Sequence, residues 1–132
     1  MAEITKKQSD AIDALCRLKF DAFAHRAFRI VEPGSKYEWS WHLGCIGEHL
    51  EAVYAGEIDR IIFNLPPRSL KSYLISSAYP AWVMGKHPEK KFINAGFGLE
   101  VVEQNAMKCR KILDDPWFQH CFPGLKIDAV MD

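Results

Sequence analysis

LPPRSLKS, Leu65 to Ser72, is the stretch whose reading decides the fold. An apolar run, Ile61, Ile62 and Phe63, enters it, and a segment of helical character leaves it near Ser72. Strand, tight loop, Lys and hydroxyl, then helix is the order of a phosphate-binding loop. In such a loop, backbone N–H groups at a helix start face an anion, a Lys reaches the terminal phosphates, and a hydroxyl helps to hold Mg²⁺. Counting back from Lys71, the pattern GxxxxGK[ST] asks for glycine at positions 65 and 70, where this chain has Leu65 and Leu70. Only Lys71 and Ser72 match. By spacing alone two readings stay open, a divergent phosphate loop and a proline-stiffened connection between a strand and a helix.

Upstream, Glu57 to Arg60 form a polar lead-in to a short buried strand at Ile61 to Asn64. Before it a helix is expected after Ser40 as N-cap, with Leu43, Ile46, Leu50, Val53 and Tyr54 on one stripe and Gly56 as its end. Gly44 and Gly47 weaken that helix by about 1 kcal/mol each, which implies close approach of another backbone or a ligand. His42, Cys45 and His49 share a side of it at spacings that could hold a metal. With no fourth ligand and no CxxC partner, a place at the core edge is the preferred reading. One earlier helix is expected from Ser9, with Ile12, Leu15, Cys16, Phe23 and Ala27 on its buried face, Asp13, Arg17 and Asp21 turned away, and Pro33 and Gly34 as its stop.

Downstream of the loop, Leu74, Ile75, Ala78, Ala81 and Trp82 predict a helix that Pro80 kinks, since its ring meets the carbonyl of Ser76 and it donates no hydrogen bond. Gly85 is its expected stop. Lys91 to Ala95 read as a second short strand. A helix follows with Leu99, Val102, Ala106, Cys109 and Leu113 as its core stripe. Asp115 and Pro116 start the next, anchored by Trp117, Phe118 and Phe122. Asp114 and Asp115 lie beside no apolar run that would raise a carboxyl pKa, so a cap is favoured over a catalytic dyad.

The 17 basic and 17 acidic residues cancel, and 48% of the 132 residues are hydrophobic. No global field therefore pulls the chain toward nucleic acid or membrane, and it should bury a core. Cys16, Cys45, Cys109 and Cys121 form no CxxC pair and follow no signal peptide, so free thiols in the cytoplasm of a bacterial host are expected. No apolar run reaches the length of a membrane span.

Three further stretches join the loop: Trp41-His42, the run YPAWVMGKHP from Tyr79 to Pro88, and DPWFQHCFPG from Asp115 to Gly124. Together with GEIDRIIFNLPPRSLKS from Gly56 to Ser72, they make the chain resemble the N-terminal ATPase part of the large terminase subunits that package DNA into tailed-phage heads. The match spans roughly residues 39 to 125. The resemblance implies that the PPR-type loop is a divergent Walker A motif, with Pro67, Arg68, Ser69, Leu70, Lys71 and Ser72 around the phosphates of ATP. Lys71 would take the β/γ-phosphate role, Ser72 the Mg²⁺ role, and Arg68 that of a charge-stabilising arginine, the alternative being a phosphate or carboxylate clamp. Trp41 and His42 would lie on the adenine side, the alternative being an aromatic helix anchor.

The fold so implied is α/β, a partial P-loop NTPase-like (ASCE) domain over residues 39–132 behind a helical lead-in over 1–38, its later strands missing. Double-stranded DNA, the portal, the small terminase subunit and, for a full-length protein, a homo-oligomeric ring are the implied partners, with no membrane. None of the acids after Ser72 follows an apolar strand, so no Walker B candidate exists, and the family's nuclease domain is absent. The expectation is a nucleotide-binding loop with little or no hydrolysis by this chain alone. The competing expectation is a non-catalytic prophage remnant or interaction module. A helicase-like P-loop ATPase is a third, disfavoured by the PAW and DPWF stretches.

Overall fold

The structure, a computed structural model, describes residues 4–127. Helices α1 (Lys6–Leu18), α2 (Phe20–Val31) and α3 (Trp41–Tyr54) precede the loop. A π-helical turn (Tyr73–Ala78) then runs into α4 (Tyr79–Lys86), and α5 (Leu99–Leu113) and α6 (Pro116–Cys121) complete the chain. The centre is α2, which packs on α1, α3, the π-turn, α4 and α5. Its Phe20, Phe23, Ala24 and Ala27 are wholly buried, with Trp82 of α4 beside them.

No strand and no sheet occur among the described residues, which overturns the α/β, P-loop NTPase-like expectation. The physical reason lies in pairing. An extended segment becomes a strand only when a neighbour takes its backbone groups, and residues 61–64 and 91–95 have no such neighbour. Ile61, Phe63 and Leu65 are half-buried while Ile62 and Asn64 are exposed, so the period-2 pattern of a strand survives without the ladder. Each segment lies on helices instead. Phe63 meets the His49 ring of α3 at 6.4 Å, and Phe92 stands perpendicular to Tyr79 of α4 at 6.2 Å.

The expected first helix is two. Lys19 is extended at φ −118° and ψ 123°, closing α1 and opening α2. Across the core, Glu51 of α3 accepts from the Phe20 N–H at 2.8 Å and from Lys19 Nζ at 3.2 Å. A side chain 31 positions later thus supplies the cap that Lys19 cannot. The bend also reassigns α1's faces. Asp13, expected outside, is buried, with Oδ1 accepting from the Trp117 indole N–H at 2.9 Å, whereas Ile12 and Leu15 are about half exposed.

Pro80 is accommodated by the wide π-turn ahead of it, in which the Tyr79 N–H bonds to the Leu74 carbonyl. The Ser76 carbonyl that Pro80 leaves free accepts from Asn94 Nδ2 at 3.4 Å. Trp82 is locked by its indole N–H to the Cys16 carbonyl at 3.1 Å, and Tyr73 by its hydroxyl to the Ala24 carbonyl at 2.6 Å. Gly85 does not stop α4. It admits Phe118 and Phe122, since a Cβ there would lie 2.7 Å from Phe122. Gly47 likewise admits the carboxylate of Asp21 and Gly44 the ring of Trp39, so side chains, not a ligand, approach α3.

Gly56 ends α3 as expected. Its φ is +78°, and the Glu57 and Gly56 N–H groups return to the Ala52 and Val53 carbonyls, the Schellman pattern. Asp115 caps α6 through the Trp117 N–H at 2.9 Å. The stripe assigned to α5 is buried only in part: Cys109 is covered, Val102 and Leu113 are half-buried and Leu99 is 74% exposed, while Ile112, outside that stripe, is wholly buried. Among the described residues no helix is long and apolar enough to cross a membrane.

Candidate functional site: the Leu65–Ser72 loop

The loop begins where the extended segment leaves α3 and ends where a helical run begins at Lys71. Its first intrahelical bond runs from the Leu74 N–H to the Leu70 carbonyl at 3.0 Å. The N–H groups of Lys71, Ser72 and Tyr73 therefore have no carbonyl one turn back. Pro66, Pro67 and Arg68 are exposed, Ser69, Leu70 and Lys71 half-buried, and Ser72 exposed on the first turn.

The backbone here is unusual in a specific way. Arg68 has φ +64° and Leu70 φ +60°, and they alone among the described non-glycine residues have positive φ. A side-chain-bearing residue in this left-handed region is strained by about 1–2 kcal/mol. Leu70 stands where the phosphate-loop pattern asks for glycine, and it holds the conformation a glycine would take. Its side chain packs against the core, which fixes it there. Between the two strained residues, Ser69 Oγ is buried with no hydrogen-bond partner.

Chemically, the loop gathers a guanidinium, an ammonium, two hydroxyls and free first-turn N–H groups, and no carboxylate forms an ion pair with Arg68 or Lys71 among the described residues. That donor set fits an anion such as the triphosphate of ATP. A Mg²⁺ ion would have the Ser72 hydroxyl and the nucleotide's own oxygens, since the loop contributes no acid.

Trp41 and His42 sit elsewhere in the arrangement. They line a cavity of about 340 Å³ with Cys45, Ile46 and His49 of α3 and the extended residues 61–65. The cavity lining stops at Leu65, so these two are brought to the segment entering the loop and not to Lys71 and Ser72. Nor do the three α3 side chains converge on a metal. His42 Nδ1 is 2.8 Å from Ser40 Oγ, and the His49 Nδ1 N–H donates to the Cys45 carbonyl at 2.7 Å. No cluster of three metal-ligating side chains exists among the described residues.

Positive φ at Arg68 and Leu70 had no signal in the sequence, because neither residue type favours it. The partnerless Ser69 hydroxyl was likewise hidden. Compared with known proteins, the chain matches no family model, no curated protein and no solved structure.

Proposed function

We propose that the chain is the N-terminal portion of a terminase-type large subunit and that residues 67–72 bind the phosphates of ATP. Lys71 reaches the β/γ-phosphates, Ser72 helps to hold Mg²⁺ through the nucleotide, and Arg68 clamps phosphate charge. Trp41 and His42 are offered as the base-side residues. The observation that carries this reading is Leu70 at φ +60° immediately before Lys71-Ser72 at a helix start, the backbone state that glycine supplies in the phosphate-loop pattern. In a complete packaging motor the partners are double-stranded DNA, the portal and the small terminase subunit. By itself this chain binds nucleotide and turns it over slowly or not at all, because phosphoryl transfer needs acids to hold the metal and orient water, and the loop has none.

Equilibrium binding of a fluorescent ATP analogue with Mg²⁺ tests this directly. Wild-type protein gives a saturable signal that Lys71→Ala removes while melting as wild type does. Equal binding by both proteins would sink the assignment, and so would motor-like hydrolysis by residues 1–132 that Lys71→Ala abolishes, for the non-hydrolysing part. A second reading, a non-catalytic interaction module, is favoured by Ile62 at 85% and Ile93 at 95% exposure on the two unpaired extended segments.

A further inference from the structure

We propose that the cleft between α1 and α2, lined also by Trp117, binds a small organic anion with an aromatic or alkyl body. Its lining comes from α1, α2, Ile4 and Trp117, and its volume is about 760 Å³. Pockets that hold small molecules span roughly 300–1,000 Å³. None of residues 65–72 lines it, so it is separate from the phosphate loop.

Its walls differ in chemistry. On the α1 side Ile12 and Leu15 line it, 42% and 50% exposed, so that about half of each apolar side chain stays open. On the α2 side Arg26 and Arg29 stand three residues apart, on one helix face, with His25 beside them. The acid that lines the cleft, Asp13, is already engaged. Its Oδ1 accepts from the Trp117 indole N–H at 2.9 Å, and its Oδ2 lies 3.8 Å from His120 Nε2. The Arg26 guanidinium rests 4.7 Å over the Trp117 ring, and no carboxylate lies within ion-pair distance of Arg26 or Arg29 among the described residues. Two guanidiniums without an acid partner, that of Arg26 held by an aromatic ring and that of Arg29 open to solvent, opposite half-exposed apolar side chains, match one anionic head and one apolar body.

The probe is 8-anilinonaphthalene-1-sulfonate, which carries both halves, titrated by fluorescence. Wild type should bind it saturably at one site. Arg29→Gln should weaken binding about tenfold or more, and Arg26→Gln with Arg29→Gln further, in line with loss of charge-assisted bonds. Ile62→Ser with Ile93→Ser, which removes exposed apolar surface elsewhere, should change nothing. Octanoate should compete and inorganic sulfate at the same concentration should not. Arg29 is exposed and does not stack on Trp117, so its variant keeps the test decisive if the Arg26 variant unfolds. Binding unchanged by Arg29→Gln, binding lost with Ile62→Ser and Ile93→Ser, equal competition by sulfate, or no wild-type binding would each overturn the proposal.

Discussion

Replacing Gly85 with Ala puts a methyl group where its Cβ would lie 2.7 Å from Phe122 Cγ, 2.9 Å from Phe122 Cδ1 and 3.0 Å from Phe118 Cζ. Neither ring can swing aside. Phe118 and Phe122 are 1% and 4% exposed, tilted 37° to each other at 4.9 Å and both set edge-on against Phe23. Helix propensity favours Ala over Gly by about 1 kcal/mol in a helix interior, and by less at the penultimate residue of α4. Forcing an extra carbon into a packed core costs about 1–3 kcal/mol. The expected net loss is about 1–2 kcal/mol, or about 3–8 °C in Tm for a chain of this size. Gly44→Ala is the matched control. Its Cβ would meet the Trp39 ring at 3.2 Å, but that ring is 66% exposed and free to give way. Propensity then dominates, and Gly44→Ala should gain about 0.5–1 kcal/mol. Urea unfolding followed by far-ultraviolet circular dichroism measures both. If Gly85→Ala is as stable as wild type, or Gly44→Ala costs more than Gly85→Ala, the packing of α6 on α4 described above is wrong.

Three further outcomes are expected. Asp13→Ala leaves the half-buried indole N–H of Trp117 without its acceptor and should cost about 1 kcal/mol in urea unfolding, with α1 and α6 loosened together. In native protein a thiol reagent should label Cys45 first, because it is exposed while Cys16, Cys109 and Cys121 are buried; equal rates at all four would contradict the core assignment. Burial pushes the Cys16 and Cys109 thiols up to about 11 and Cys121 to about 12 from an ordinary 9.0. The folded chain therefore keeps protons that the unfolded chain releases. This contribution to stability is complete below about pH 9 and disappears as pH rises through 11 to 12, which urea midpoints measured from pH 8 upward will follow.

The sequence showed best what local chemistry decides. Gly56 at the end of α3 and Asp115 at the start of α6 were readable because a left-handed stop and a side-chain cap are built from residues next to one another. The start of α1 was equally local and could have been read: Thr5 and Gln8 form a capping box, a T-x-x-Q signature standing in the polar opening. The break at Lys19 was not readable, since the bonds that replace the missing cap come from Glu51, on another helix. Burial of Asp13 depends in the same way on Trp117, 104 positions away. The strands failed for a related reason. The apolar run at 61–63 states only that the segment is covered, and here α3 covers it, as α4 covers Phe92, in place of the expected sheet.

The loop itself gains a different explanation from the one its spacing suggested. In a glycine-bearing phosphate loop the left-handed backbone costs little, so the sequence can specify it locally. Here Arg68 and Leu70 carry that geometry with side chains attached, at about 1–2 kcal/mol each, and the loop alone has no means of holding it. What holds it is on both sides. Leu70 is anchored in the core, and the run leaving the loop is fixed one turn later by Tyr73, whose hydroxyl is bonded to α2 at Ala24. Leu70 is therefore not simply a missing glycine: its side chain links the conformation of the loop to α2 and the packed centre. The donors at Ser69 to Ser72 are thus positioned by the helical core and do not require a sheet beneath them.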